Sequence, residues 1–336
     1  MDISKIGKIA LLDHLNDRFD IVQNSTLRAF DDAAVINSAN GTKQICSEIF
    51  LEGIHFNLVY TPLQHLGYKV VTHAVSNIVA MNSQPRQILV STAVSSRFQV
   101  ADIELLYDGI RSACSIYGLE LLDNNLTASL TGMTVGITCI GEAKEADLCY
   151  RGGAGVNDLI CLSGSLGAAY VGLQVLERER YVFEQNPQAQ PQLEGYNYVL
   201  GKQLHPQART DMTAIFAEQD VKPSAMTDIV DCLASDLLQI CKQSSVGARI
   251  YLDRIPVASE TVAACREMNI DPVTAALNGG DDFELLFTVP LAKYEQVKNL
   301  AGFEVIGHVT DAAQGAYLVT PEGGEIKITA QGWSDV

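Results

Sequence analysis

A glycine-rich stretch near the middle of the chain, YRGGAGVND (150–158), separates two segments whose patterns of apolar residues differ. The chain has 336 residues, which is more than one hydrophobic core usually holds. Because the pattern changes at these glycines, we place a domain boundary between residues 148 and 149. The sequence therefore predicts two domains, one over 1–148 and the other over 149–336.

The first segment combines apolar runs with helical periodicity. Apolar residues recur at helical spacing in 65–81 and in 100–118, and the second of these helices closes at Gly118. Strands are predicted over 42–51, 86–94, 119–122 and 131–141. This order favours an α+β domain with its helices on one face of a sheet.

The second segment opens with a strand, a Ser/Gly turn and an amphipathic helix over 159–179, followed by a polar loop at 183–195. Helices are then predicted at about 207–218, 232–243, 258–268 and 291–300. Strands are predicted at about 225–229, 248–252, 283–289 and 303–308. Alternation of this kind favours an α/β domain.

The formal net charge of −17 narrows the range of partners. A strongly acidic chain is unsuited to nucleic acid and to anionic membrane surfaces. One explanation of the charge is solubility. The other is that some of the acids converge on metal ions, in which case bound phosphates would be held through those cations.

The cysteines indicate a reducing compartment. Eight are present, none in a C-x-x-C pair, and most lie inside apolar runs such as ITCIG and LICLSG. Buried reduced thiols of this kind are typical of cytoplasmic proteins. No apolar run reaches the ~18 residues of a membrane span. We therefore expect a cytoplasmic protein with no membrane partner.

Paired acids stand at the ends of predicted elements in both segments. Asp31 and Asp32 precede an apolar strand, and Asp228 and Asp231 flank a strand-to-helix junction. Adjacent acids are often merely solvated, and Asp231 suits a helix N-cap. Asp228 begins an apolar stretch, so neither explanation covers it.

Amides and further acids occupy similar positions. Glu48 lies in a predicted strand, with His55 in the loop after it. Asn77 lies among apolar residues of a predicted helix, where it either bonds back to the main chain or faces a site. The triplet at 123–125 ends an apolar run and suits either a polar turn or a ligand loop. A glycine pair at 279–280 precedes two more acids.

Taken together, these stretches supply many hard oxygen ligands without a Walker A loop or a G-x-G-x-x-G turn. Ligand sets made only of oxygen indicate Mg²⁺ bridging phosphates rather than zinc. The sequence therefore predicts a magnesium and phosphate site assembled from loops.

The order of several motifs resembles one known family. They are DDAAV, LEGIHF, LGYK, AMNSQP, RGGAGVNDLICLSGSLGAA, GARIYLDRIP and GGDDFELLFTVP. In this order they are similar to thiamine-monophosphate kinases, which belong to the superfamily of aminoimidazole ribonucleotide synthetase and selenophosphate synthetase. The similarity extends from about Ile6 to Trp333. It implies an N-terminal α+β domain whose sheet pairs with that of a second copy to form a barrel in a homodimer, and a C-terminal α/β domain that covers a cleft.

The resemblance also implies an activity and a set of site residues. The reaction is Mg²⁺-dependent transfer of the γ-phosphoryl group of ATP to thiamine monophosphate, with Mg²⁺ and ATP bound by the domain over 1–148. The catalytic residues implied are Asp231 and Arg151. Nucleotide contacts are implied for Asp123, Asn124, Asn125, Arg151, Gly152 and His55. Metal ligands are implied at Asp31, Asp32, Glu48, Asn77, Asn125, Asp228 and Asp231.

This chain departs from the family pattern at several of those positions. Asn77 and Asn125 stand where the family has Asp, and Glu48 stands where it has Asp. Loss of two formal charges beside a dication predicts weaker Mg²⁺ binding. The alternative to a working kinase is a catalytically impaired paralogue that binds a nucleotide or a thiamine phosphate, or that regulates an active homologue.

Overall fold

The computed structural model describes residues 8–16, 26–28, 30–39, 41–298 and 302–330. Both ends of the expected family resemblance, Ile6 and Trp333, lie outside these residues. Within them, no helix combines the length and the apolar composition needed to cross a bilayer.

The strands up to residue 143 form one mixed sheet. Its six described strands lie in the order β1-β2-β3-β6-β4-β5. They are β1 (Thr26–Arg28), β2 (Ala34–Ser38), β3 (Gly41–Leu51), β4 (Gln84–Val94), β5 (Glu120–Ala128) and β6 (Thr134–Ala143). The helices of this half are α1 (Lys8–Asn16), α2 (Leu63–Ala80) and α3 (Val100–Tyr117).

Two glycines allow α2 and α3 to pack with their backbones in contact. A Cβ on Gly67 would lie 2.0 Å from the carbonyl oxygen of Leu106, and one on Gly109 would lie 1.9 Å from that of Gln64. Side chains at these positions would force the helices apart. The close packing fixes α2 against the sheet, and α2 carries several of the candidate site residues.

The strands from residue 159 onward form a second sheet, in the order β13-β12-β9-β11-β7-β10-β8. They are β7 (Leu159–Ser163), β8 (Ala225–Asp228), β9 (Val246–Tyr251), β10 (Leu285–Val289), β11 (Phe303–Asp311), β12 (Ala316–Val319) and β13 (Glu325–Lys327). The helices are α4 (Ala168–Gln185), α5 (Asn197–Leu204), α6 (Asp211–Glu218), α7 (Leu233–Ser244), α8 (Ser259–Met268), α9 (Pro272–Asn278) and α10 (Tyr294–Val297).

The pairing in the second sheet differs from a parallel α/β arrangement. Among the described strands of this second sheet, only β9 and β12 pair in parallel, and the other neighbours are antiparallel. Strands that are consecutive in sequence are mostly not neighbours in the sheet, because the helices between them connect strands that are not adjacent. The alternation of elements therefore predicted a mixed α/β domain correctly but did not determine strand direction.

The central strands of the second sheet are buried on both faces. Cys161 of β7 faces a core shared with α2 and α3, whereas its neighbours Ile160 and Leu162 face a second core. This explains the continuous apolar run of β7. The change of sheet occurs between Ala143 and Leu159, a stretch that contains the proposed boundary at 148 and 149.

Three local predictions need correction. The strand predicted over 119–122 continues to Ala128, so the triplet at 123–125 lies within β5 and not in a turn. Because β5 is an edge strand with every side chain exposed, polar residues are tolerated there. The N-cap of α7 is Cys232, whose sulfur accepts the Ser235 N–H, and not Asp231. Of the helix predicted over 291–300, residues 299 and 300 lie outside the described residues, and the rest forms a 3₁₀ turn followed by the short α10.

Candidate active site

Acidic side chains from both sheets meet at the junction of the two halves. Four come from loops or strand ends, and the fifth comes from β3. This acid cluster comprises Asp31, Asp32, Glu48, Asp228 and Asp231, and Asp231 is included because its charge acts together with that of Asp228 on His73 and Asp236. Their charges act on one another, since Asp228 and Asp31 both raise the pKa of Asp32 and Glu48 raises that of Asp228. The structure thus brings together the acids that the sequence places about 200 residues apart.

Arg151 is the principal counter-charge of the acid cluster. Its guanidinium forms an ion pair with Asp32, and its backbone N–H donates to Oδ1 of Asp31 at 3.2 Å. Thr227 donates to Oδ1 of Asp32 at 3.1 Å. Burial nevertheless raises the pKa of Asp32 to about 7. One arginine therefore does not fully compensate the burial of this carboxyl group.

Two carboxylate oxygens of the acid cluster lack protein partners. Oδ2 of Asp32 and Oδ2 of Asp228 are buried and accept no hydrogen bond of normal geometry from the described residues, although the Ser76 hydroxyl is close enough to Asp228 to lower its pKa. Burial also raises the pKa of Asp228. An unpartnered buried carboxylate oxygen is costly unless something positively charged binds it. These two oxygens fit a hard cation such as Mg²⁺.

The acid cluster is not a closed metal cage. Among the described residues, no three His, Cys, Asp or Glu side chains are arranged to hold an ion without help. Mg²⁺ commonly uses one or two carboxylates and completes its shell with water and substrate phosphates. The arrangement therefore suits a cation that arrives with a phosphorylated ligand.

Asn77 contacts the acid cluster directly. Its Nδ2 donates to Oε1 of Glu48 at 3.0 Å, from α2 to β3. Of the two explanations weighed for Asn77, the structure therefore favours the one in which it faces the site. In this arrangement, the amide presents a donor to the carboxylate, so the pair is satisfied without a cation.

The segment GGDDF (279–283) has an unusual backbone, and its two aspartates contact different partners. Asp281 and Phe283 both have positive φ, at 57° and 54°. Asp281 reaches Lys69 of α2 and forms an ion pair of 2.8 Å between the two halves of the chain. Asp282 instead accepts the backbone N–H of Gly167 at 2.9 Å, at the start of α4.

A cleft of about 590 Å³ adjoins the acid cluster. Side chains from both halves line it, including His55, Tyr60, Lys69, His73, Glu177 and Asp281. Its volume lies within the usual range for small-molecule sites. The Lys69–Asp281 pair lies on the side of the cleft nearest the acid cluster, because the charges of Lys69 and Asp281 act on His73 together with those of Asp228 and Asp231.

The nucleotide candidates divide between three places. Arg151 and Gly152 lie at the acid cluster, and His55 lines the cleft, where its Nδ1 accepts the Leu51 N–H at 3.0 Å. Asp123, Asn124 and Asn125 lie on β5 instead.

The register of the first sheet separates those three residues from the acid cluster. Glu48 pairs with Ile137 of β6, Ile137 with Val90 of β4, and Val90 with Asn124. Three strand spacings put Asn124 roughly 14 Å from Glu48. Asn125 belongs to the next row, which points to the face away from α2 and α3. Within one chain, β5 and the acid cluster are therefore separate.

Sequence reasoning missed Lys69 and His73 of the cleft, and it noted Asp281 only as one of the two acids that follow the glycine pair. Lys69 and His73 precede Asn77 at spacings of four residues, so all three lie along one stripe of α2. A lysine and a histidine in an otherwise apolar helix were the available signal. The role of Asp281 could not be read from sequence, because it depends on the positive φ that turns its side chain toward Lys69.

Comparison with known proteins places this geometry in a family. A profile described as AIR synthase related protein, N-terminal domain, matches residues 30–143. The thiamine-monophosphate kinase of Methanospirillum hungatei JF-1 is 30% identical over 297 residues, which cover 88% of this chain and 90% of the relative. The chain belongs to the thiamine-monophosphate kinase family. The thiamine-monophosphate kinase of Bacillus subtilis is 29% identical over 296 residues, which cover 84% of this chain and 86% of that relative.

Solved structures agree on the fold. AaThiL complexed with AMPPCP and TMP matches with a TM-score of 0.83 at 24% identity, covering 100% of this chain and 99% of that chain. Hydrogenase maturation protein HypE in complex with ATP matches with a TM-score of 0.68 at 15% identity, covering 89% and 87%. The family resemblance predicted from the motif order is confirmed, and so is the two-sheet mixed α/β fold of thiamine-monophosphate kinases.

Proposed function

We propose that this chain transfers the γ-phosphoryl group of ATP to thiamine monophosphate in a Mg²⁺-dependent reaction that forms thiamine diphosphate. The observation that carries the proposal is the acid cluster, with its buried Asp32 and Asp228, in a chain of this family. The unpartnered oxygens of these two residues offer hard ligands near a cleft large enough for a small molecule, since the charge of Asp228 acts on His73 in the cleft wall. Bound Mg²⁺ would neutralise the phosphates of two anionic substrates and so allow them to approach.

Several residues of the acid cluster would hold these cations. Asp32 and Asp228 provide the buried oxygens, and Asp31 and Asp231 provide carboxylates beside them. Glu48 and Asn77 would contribute only if their mutual hydrogen bond opened. Asn125, the remaining metal candidate, lies on β5 and is too far away to act within one chain.

Arg151 and Gly152 are proposed to face the nucleotide phosphates at the acid cluster. Arg151 holds Asp32 in place and keeps a positive charge beside the site of transfer. Asp231, on the exposed loop between β8 and α7, would orient the transferred group. No strong general base is needed, because the acceptor is itself a phosphate and ionised near neutral pH.

We propose that the cleft takes the acceptor, with His55 on its wall and Lys69 near its phosphate. The structure of AaThiL complexed with AMPPCP and TMP makes this pair of ligands a reasonable choice for this chain. The domain over 1–148 would then supply most nucleotide and metal contacts, and the domain over 149–336 would close the cleft.

A homodimer would give β5 a role. Ile49 and Leu51 expose apolar side chains, 58% and 38% accessible, on the sheet face away from α2 and α3. Pairing of two such sheets would bury them, and would bring the strand that carries Asp123, Asn124 and Asn125 beside the neighbouring copy, with the Asn125 side chain on the paired face. Sedimentation at micromolar concentration tests this: a monomer would exclude any role for these three residues.

The alternative proposal is an impaired paralogue that binds nucleotide or thiamine phosphate without efficient transfer. The observation in its favour is the Asn77–Glu48 hydrogen bond, which satisfies both side chains internally. The impaired paralogue is expected to bind metal weakly, since the Asn77 amide carries no charge to replace a carboxylate.

Product formation decides between the two proposals. Purified protein would be incubated with ATP, thiamine monophosphate and MgCl₂, and thiamine diphosphate measured by chromatography. We expect turnover that Asp228→Asn abolishes and that the matched exposed change Asp253→Asn leaves intact. Binding of thiamine monophosphate without turnover, together with turnover by the triple variant Glu48→Asp/Asn77→Asp/Asn125→Asp, would establish the impaired paralogue.

A further inference from the structure

His73 lies where the cleft meets the acid cluster. On α2 it falls between Lys69, which is paired with Asp281, and Asn77, which is paired with Glu48. Successive members of this stripe are separated by about 6 Å along the helix axis. His73 is among the residues that line the cleft. It is therefore the side chain on α2 that connects the cleft to the acid cluster.

Aromatic rings from both halves hold the imidazole in place. Phe50 of β3 contacts it in a T-shaped arrangement with ring centroids 5.1 Å apart, and Phe283 does so at 5.6 Å. Phe283 itself sits at a positive φ of 54°, so an unusual backbone supports this contact. Restraint of this kind keeps the ring in one orientation before any ligand arrives.

One nitrogen of the His73 imidazole lacks a hydrogen-bond partner. Its Nδ1 is buried and has no hydrogen-bond partner among the described residues. The neutral ring has one donor and one acceptor nitrogen, and both normally find partners when buried. A restrained ring in a cleft wall, with one nitrogen that lacks a hydrogen-bond partner, is typical of a ligand-binding residue without its ligand.

We infer that His73 is a binding residue for the acceptor, and that its imidazole hydrogen-bonds a phosphate oxygen of a phosphate monoester held in the cleft. This inference rests on the proposed function and deepens it, because it names the group that orients the attacking phosphate. Lys69 lies one helical turn away and supplies positive charge on the same side. The imidazole orients the phosphate, since a hydrogen bond from a restrained ring constrains the phosphate geometry more than the charge of a mobile ammonium group does.

The test compares three variants on α2. His73→Phe keeps a ring between Phe50 and Phe283 but removes both nitrogens, and His73→Gln restores a hydrogen-bonding group. The control is His65→Phe. His65 has an equally unpartnered Nδ1, but its ring contacts His205 and does not line the cleft. The unfolding midpoint of His73→Phe should equal or exceed that of the wild type, because an unsatisfied nitrogen is removed.

Kinetics provide the first readout. We expect His73→Phe to raise the KM for thiamine monophosphate at least tenfold while the KM for ATP stays within twofold. His73→Gln should recover part of the loss, and His65→Phe should match the wild type. A general structural defect would instead change both KM values or lower the unfolding midpoint.

Nuclear magnetic resonance provides a readout without turnover. Inorganic phosphate would be titrated while the histidine ring protons are observed, with the His73 signal assigned by its loss in His73→Phe. We expect phosphate to shift that signal and to leave the His65 signal in place. Turnover with no change of KM in His73→Phe and no phosphate shift would overturn this inference and leave the proposed function standing. A phosphate shift without turnover by the wild type would overturn the function and keep the binding role. Absence of both would overturn both.

Discussion

Replacement of Asn77 by Asp turns an attraction in the acid cluster into a repulsion. In the structure, Nδ2 of Asn77 donates to Oε1 of Glu48 at 3.0 Å. Asn77→Asp puts two carboxylates at that separation. At an effective dielectric constant of about 20, two unit charges about 3 Å apart repel by roughly 5 kcal/mol. Because Glu48 is only half-buried, solvent screening lowers the expected cost to about 3 kcal/mol.

Protonation makes this cost depend on pH. In the Asn77→Asp variant, either the new carboxyl or that of Glu48 should have a raised pKa in the folded protein. A raised folded pKa stabilises the protein at low pH, and this stability is lost as the pH rises. The loss cannot exceed about 1.4 kcal/mol per pH unit above the ordinary pKa. We therefore expect about 1 kcal/mol of destabilisation at pH 5 and about 3 kcal/mol at pH 8.

The assay is urea denaturation at pH 5 and pH 8, with EDTA or with MgCl₂. A cation that binds between the two carboxylates restores stability by about 2.7 kcal/mol at a concentration of 100 Kd. Asn124→Asp is the matched control, because Asn124 is exposed on β5 and its change should stay within about 0.5 kcal/mol. Equal stability of Asn77→Asp and the wild type at pH 8 in EDTA would contradict the expected repulsion, and so would equal stabilisation of these two proteins by MgCl₂.

Three further predictions concern the acid cluster and the second half of the chain. Arg151→Gln leaves the Asp32 carboxylate buried without its ion pair, so we expect a loss of about 3–5 kcal/mol in urea denaturation and of all turnover. Gly153 has a φ of 140°, and an added Cβ would lie 2.4 Å from the carbonyl oxygen of Ser224. Gly153→Ala should therefore lower the unfolding free energy by more than about 1 kcal/mol, whereas Gly201→Ala, in open space on α5, should raise it by up to about 1 kcal/mol. Since the pKa of Asp32 is raised to about 7, the metal-free protein should lose up to about 4 kcal/mol of stability between pH 4 and pH 7; a flat pH profile in EDTA would contradict this.

The sequence predicted the helices that are amphipathic along their whole length and the strands whose apolar residues are continuous. Both α2 and α3 were predicted to within two residues; the pattern of α3 results from burial of one face, whereas α2 is buried on nearly all sides and is recognised by its long apolar run. The edge strand β5 was cut short at residue 122 because exposed strands lack an apolar pattern. The polar triplet that follows consequently looked like a turn.

The site was predictable as far as it consists of acids at strand ends. Asp31, Asp32 and Asp228 were found because carboxylates beside apolar runs have few structural roles. The Lys69–Asp281 pair was not found, since it joins residues 212 positions apart through a backbone turn that local patterns do not encode. The cap of α7 was misplaced by one residue because cysteine is a weak acceptor and was not considered for that role.

The acid cluster takes its members from both sheets, so like charges face each other across the junction of the two halves. Arg151 and the Lys69–Asp281 pair oppose this repulsion only in part, because Asp32 and Asp228 retain unpartnered oxygens. The contact between the halves is therefore incomplete in protein atoms alone. Cations and phosphates would act as structural components of that contact, so the affinity for one substrate must change the affinity for the other through the same junction.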